Sequence, residues 1–205
     1  MIVSLNGLDN AGKTTQTKQL NTKYPNYYMK ALHIKDMPSF NKERYNYNWW
    51  FNPDNKEEFV NVIYKCLKER NIYAKSLENN YKTILFDKGI DFYDSRILST
   101  LIMKGMTYEN AKKLLEDVKE QYKLEDIEIL KIFLISGNYK RDEKFFDDKQ
   151  IFYNAYLQLN KIILTNMNID YAYVFPKNID LITDEIHQLI SSRKDEYLCK
   201  KLVLK

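Results

Sequence analysis

Residues 1–20 read MIVSLNGLDNAGKTTQTKQL, and the order of their parts decides the fold. An apolar run, MIVSLN, leads into GLDNAGKT at 7–14, which fits G-x-x-x-x-G-K-[ST]. KTTQTKQL then continues with helical character, and strand, glycine turn and helix in that order read as a phosphate-binding P-loop. Gly7 and Gly12 let the backbone curl so that successive amide N–H groups converge on phosphate oxygens. The helix beginning at Lys13 turns its positive dipole end toward the same charge. The expected nucleotide cradle is therefore Gly7, Leu8, Asp9, Asn10, Ala11, Gly12, Lys13, Thr14 and Thr15. Lys13 is expected to reach the β- and γ-phosphates of ATP, and Thr14 to bind Mg²⁺ through its hydroxyl.

At 205 residues the chain is long enough for one sizeable core. No Pro/Gly/Ser-rich stretch divides it, so residues 1–205 read as a single domain. The formal net charge is +4 with acids and bases well mixed, which suits a small anionic ligand but is too weak to argue for nucleic acid, a minor reading here. Cys66 and Cys199 stand far apart and outside any C-x-x-C spacing, the pattern of reduced thiols in a cytoplasmic protein without a zinc site. No apolar run approaches the roughly 18 residues a membrane helix needs, and the chain opens on a core strand with no signal peptide pattern.

Five apolar runs look like strands: 1–6, 31–36, 82–87, 128–135 and 169–175, with helical patterns between them. Strands alternating with helices predict an α/β fold, a five-stranded parallel sheet with helices on both faces. The P-loop at the first strand-to-helix turn makes it a P-loop NTPase core. Ligands then gather at the carboxyl ends of the strands. That expectation picks out 36–55, 87–96, 136–148 and the FPKN stretch at 175–178, the last as a contact for the nucleotide base.

KTILFDKG ends an apolar strand in Asp87, the Walker B arrangement, where a carboxylate holds Mg²⁺ directly or through water, or orients the acceptor. The competing reading is a helix cap, with Asp91 and Asp94 as rivals. In the helical segment from Lys56 to about Asn79, apolar residues recur at Val60, Ile63, Leu67, Ala74 and Leu77, and Arg70 fills the missing slot. A guanidinium on such a stripe needs an anion, because an unpaired one in the interior costs several kcal/mol. Three arrangements meet that need: an acceptor phosphate, a structural pair with an acid such as Asp87, or an arginine reaching water from the stripe edge. In SGNYKRDEKFFDDK, 136–149, Lys140, Arg141 and Lys144 read either as a lid that closes over transferring phosphates or as solvated surface charge.

With these pieces assembled, the chain resembles the thymidylate kinase branch of the nucleoside monophosphate kinases. NGLDNAGKTTQTKQL is similar to that family's P-loop, and NIDYAYVFPKNIDLITDEIHQLI to its last strand and helix. The resemblance implies that Asp9 contacts the acceptor's sugar hydroxyl. With Asn10 where some members carry an arginine, it implies a catalytic cation in the lid, Arg141 or a neighbouring lysine. Departures cluster on the acceptor side. The family's Asp-Arg-Tyr appears as Asp87, Lys88 and Gly89, and Lys88 is a point charge where arginine gives a planar fork. Phe92 replaces a serine, Ser95 and Arg96 an alanine and an aromatic. The Arg-Glu-Pro-Gly loop gives way to DMPSFNKERYNYNWWFNP, where Phe40, Tyr45, Tyr47, Trp49, Trp50 and Phe51 read either as stacking faces for a base or as cover for the core or a homodimer contact.

The expected activity is ATP-dependent phosphoryl transfer to a deoxynucleoside monophosphate, dTMP or a related acceptor, in the cytoplasm. Lys13, Asp87, Arg70 and Arg141 carry catalysis, Thr14 and Asp87 the metal, and Asp9, Arg70 and Lys88 the acceptor. A nucleoside or other small-molecule kinase stays open, as does a nucleotide-binding module without turnover. A GTPase is disfavoured, since no Asn-Lys-x-Asp lies near the fifth strand.

Overall fold

The computed structural model describes residues 1–8, 11–46, 48–77, 82–136, 149–166, 171–175 and 178–203. Four strands form one parallel sheet: β1 (Ile2–Asn6), β2 (Ile84–Phe86), β3 (Leu130–Ser136) and β4 (Tyr171–Phe175), in the order β2-β1-β3-β4. The helices are α1 (Lys13–Lys23), α2 (Lys56–Ser76), α3 (Ile90–Met103), α4 (Tyr108–Tyr122), α5 (Gln150–Asn166) and α6 (Ile179–Val203).

The fifth strand expected at 31–36 is a correction. That segment bridges β2 only at Tyr28↔Thr83 and Leu32↔Phe86, and Ile34–Asp36 turns into a 3-10 helix. Between the bridges the outer segment takes four steps, Tyr28 to Leu32, against three on its partner, Thr83 to Phe86. An extra residue on one side breaks a regular ladder. The edge still holds through Leu32 N–H to Leu85 O at 2.8 Å and Met29 N–H to Thr83 O at 2.9 Å.

Alternation along β1 sorts the two layers, because successive side chains leave opposite faces of a strand. Val3 and Leu5 pack with Leu20 of α1 and Ile182, Ile186 and Ile190 of α6. Ile2 faces the other way, with Ala74, Ile84 and Phe86. The larger cluster on that side gathers Phe59, Ile63 and Leu67 of α2, Ile97 and Leu101 of α3, Leu115 of α4 and Phe152 and Tyr156 of α5. α2 starts where Asn55 accepts the Glu58 N–H at 3.0 Å, a side-chain cap that satisfies one otherwise orphaned donor. Among the described residues, no helix is long and apolar enough to cross a membrane.

The aromatic run of 36–55 mostly belongs to this core. Phe40, Tyr45, Trp50 and Phe51 are buried, Phe40 stacks with Trp50, and Phe51 meets Phe152 at 4.9 Å. Tyr47 lies outside the described residues. Most of these rings therefore cover hydrophobic surface, and only Phe40 and Tyr45 also line a recess at the sheet's carboxyl edge.

Candidate active site

The turn after β1 is shaped by what it must pass. Gly7 has φ 131°, and a Cβ there would stand 2.3 Å from the Leu134 carbonyl oxygen of β3. Only glycine tolerates both the dihedral and the approach. Gly12, at φ 85°, hands the chain into α1 in the left-handed region. Lys13 is buried, and its Nζ donates to Gly7 O at 2.9 Å and Leu8 O at 2.7 Å, so the ammonium lies inside the curl of its own loop. Thr14 and Thr15 are exposed on the first turn of α1. Asp9 and Asn10 lie outside the described residues.

Pairing of β1 with β2 sets Ser4 against Phe86, so Asp87 emerges beside the P-loop. It caps no helix: α3 starts at Gly89 with no side-chain cap, Asp91 pairs with Lys131 at 2.7 Å, and Asp94 pairs with Lys119 and accepts from the Tyr64 hydroxyl. Asp87 Oδ2 lies 3.3 Å from His33 Nδ1, and Asp87 Oδ1 is buried with no hydrogen-bond partner among the described residues. Burial alone pushes the carboxyl up. The neighbouring His33 imidazole, together with Lys13 and Lys88, outweighs it and holds Asp87 below the ordinary carboxylate range. It is an ionised carboxylate with one oxygen to offer, and it feels the P-loop lysine.

Arg70 is fully buried on the α2 stripe. Its Nη1 donates to the Lys88 carbonyl at 2.6 Å and its guanidinium lies 3.7 Å from the Phe86 ring centroid. Nε and Nη2 have no hydrogen-bond partner among the described residues. Burial pulls its pKa down, opposed by Tyr93, Glu128, Asp87 and Asp126. Neither the surface snorkel nor a close carboxylate pair describes it: the guanidinium sits under the Asp87–Gly89 turn, bonded to no carboxylate among the described residues. Lys88 is buried too, its Nζ bonded to the Tyr156 hydroxyl at 3.1 Å.

Several contributors escaped the sequence reading. His33, one of only two histidines, ends the edge segment, and its place at a strand's carboxyl end was a usable signal. Asn6 closes the apolar β1 with an amide whose Oδ1 accepts the Gly89 N–H at 2.7 Å. Glu128 accepts the Ile90 N–H at 3.0 Å, and a Cβ on Gly89 would meet its Oε2 at 2.4 Å. These two ties bind the turn after β2 to β1 and to the entry of β3.

A recess of about 390 Å³ is lined by His33, Lys35, Asp36, Phe40, Lys42, Tyr45 and Asn46, within the roughly 300–1,000 Å³ of small-molecule sites. A larger cavity, about 750 Å³, lies on the outer flank between Met29–Leu32 and the Glu69–Ser76 end of α2. Neither lining includes Asp87 or the P-loop, but the smaller recess includes His33, the residue that contacts Asp87, so it lies nearer the carboxylate. Lys140, Arg141 and Lys144 lie outside the described residues, as do Pro176 and Lys177. Asn178 is a cap whose Oδ1 accepts the Asp180 N–H at 2.9 Å.

No family model matches the chain, and no curated protein matches it in sequence. Among solved structures it is similar to a thymidylate kinase from Candida albicans, with TM-score 0.64 and 19% identity over 94% of this chain and 92% of that one. A deoxyadenosine kinase from M. mycoides with products dCMP and a flexible dCDP bound gives TM-score 0.58 and 15% identity over 94% and 100%. A thymidylate kinase from Ehrlichia chaffeensis gives 0.57 and 15% over 93% and 98%. The chain shares its fold with these structures.

Proposed function

We propose that this protein transfers the γ-phosphoryl group of ATP to a deoxynucleoside monophosphate. A phosphate oxygen of the acceptor attacks the γ-phosphorus, the bond to the β,γ-bridging oxygen breaks, and ADP leaves with the electron pair. Such transfers need positioning and charge stabilisation more than covalent help. The observation that carries the reading is Asp87 at the end of β2, within electrostatic reach of Lys13 in the turn after the adjacent β1, with its Oδ1 buried and unpartnered among the described residues. The fold shared with thymidylate and deoxyadenosine kinases supports it.

Gly7 through Thr15 cradle the donor phosphates, with Lys13 leaving its own loop carbonyls for them. Asp87 Oδ1 and the Thr14 hydroxyl fit Mg²⁺, which keeps waters and substrate oxygens in its shell and needs few protein ligands. Bound there, the ion would neutralise charge on the donor phosphates. Asp9 meets the acceptor's sugar. Lys88 and the two unpartnered donors of Arg70 meet its phosphate once the wall around Lys88 and Tyr93 shifts, because Arg70 has no exposed surface as it stands. Lys140, Arg141 and Lys144 close from the lid. A cytoplasmic location belongs with this reading.

The sealed position of Arg70 favours a second acceptor class, the deoxynucleoside itself, which carries no phosphate to pair. Incubating the protein and Mg²⁺-ATP with a panel of deoxynucleosides and their monophosphates, against a control without acceptor, tests both. ADP release that depends on a monophosphate is the expected result. Release with nucleosides alone selects the second reading, and release with neither rejects both.

A further inference from the structure

The sheet register places His33 with care. Leu32 bridges Phe86, and each chain then advances one residue, to His33 and Asp87. The backbone on both sides of His33 is fixed: Leu32 N–H bonds to Leu85 O at 2.8 Å, and Asp36 N–H returns to His33 O at 3.1 Å. Ile34 next to it is buried. The 3.3 Å separation of Nδ1 and Asp87 Oδ2 therefore follows from strand pairing. The imidazole also lines the recess of about 390 Å³, so one side chain touches both Asp87 and that recess.

We infer that His33 is a positioning residue, whose Nδ1–H holds Asp87 Oδ2 so that Oδ1 is the oxygen presented to the metal and phosphates. An ionised carboxylate only accepts hydrogen bonds, so Nδ1 must carry the proton. The last torsion of an aspartate is broad and nearly two-fold. Without a donor on one oxygen the carboxylate turns, and neither oxygen is fixed. Groups that orient a metal ligand in this way change metal affinity or activity by about ten- to a hundred-fold when removed. The inference rests on the kinase reading above, since it concerns the same carboxylate.

The test compares the parent with His33→Ala and His33→Asn, whose amide nitrogen starts from the same Cγ and reaches close to the place of Nδ1. Mn²⁺ replaces Mg²⁺, and its binding to the ADP-loaded protein is titrated by electron paramagnetic resonance, with melting curves alongside. His33→Ala is expected to weaken Mn²⁺ by about ten- to a hundred-fold and to lower kcat while KM for ATP stays within about two-fold. His33→Asn should restore most of both. Parent-like Mn²⁺ binding in the alanine variant overturns the inference, as does an asparagine variant that loses as much as alanine. A folded parent that binds no Mn²⁺-ADP overturns it together with the kinase reading, which separates the two failures.

Discussion

Replacing Arg70 with methionine removes a fully buried cation and leaves its apolar stem nearly filled, and the structure fixes what is exchanged. The loss includes the charged hydrogen bond to Lys88 O at 2.6 Å, about 1.5–3 kcal/mol. It also includes the guanidinium over Phe86 at 3.7 Å, up to about 2 kcal/mol when desolvated, of which a thioether on the same ring recovers about 0.3–1.5. Against this, two buried nitrogens without partners disappear, each costing about 1–3 kcal/mol, and the desolvation of the cation, several kcal/mol, is relieved. The relief is at least as large as the loss, so Arg70→Met should cost no more than about 2 kcal/mol of stability. At roughly 2–4 °C per kcal/mol for a chain this long, Tm falls by less than about 8 °C. Acceptor affinity should fall by roughly 2–4 kcal/mol, a factor of thirty to a thousand, if the two free donors meet the acceptor phosphate. ATP affinity should barely change. Urea unfolding combined with calorimetric titration of the monophosphate and of ATP reads all three quantities. A stability loss beyond about 3 kcal/mol, the range for breaking a buried ion pair, with acceptor affinity unchanged, would refute the reasoning and make Arg70 a structural residue.

Gly7→Ala forces a Cβ to within 2.3 Å of a backbone carbonyl at φ 131°. It should destabilise by more than Gly89→Ala, whose Cβ meets the end of the Glu128 side chain, and urea midpoints at constant slope rank the two. Asp87 is held below its ordinary range, so its ionised form contributes stability above the unfolded pKa of about 3.9. That contribution is lost as pH falls through the lower folded pKa, and Asp87→Asn should flatten this part of an acid-unfolding curve. Burial pushes the Cys66 thiol up to about 12, so peptide mapping after a thiol reagent at pH 8 should find Cys66 unlabelled until urea unfolds the chain. Replacing Lys140, Arg141 and Lys144 together by alanine should lower kcat while ATP affinity holds, because lid charges act in the closed state. Unchanged kcat returns that loop to solvated surface.

The P-loop was legible because its glycines and Lys13 are required by local geometry, which a sequence writes contiguously. The α2 stripe was legible for a related reason: helical period predicts which face is buried, and Arg70 was found on it. What a period cannot give is the partner of a buried charge, which here is the Lys88 carbonyl, eighteen residues on and reachable only through the packing of α2 on β2. The edge strand was misjudged because 31–36 is apolar enough, yet the extra residue that breaks its ladder appears only against Thr83–Phe86. The aromatics of 36–55 were ambiguous for the same reason, as flat rings suit a base or a core equally until their neighbours are known. His33 and Asn6 went unnoticed because each acts through register, on groups far along the chain.

In the proposed kinase Lys13 and Asp87 together hold the phosphoryl donor. ADP formation by the parent and by Lys13→Ala is compared from Mg²⁺-ATP with the best monophosphate acceptor, with melting curves taken on both. A folded variant whose kcat/KM is reduced by about 3 kcal/mol or more, over a hundred-fold, is expected. A folded Lys13→Ala protein that turns over at the parent's rate would end the reading of a donor site.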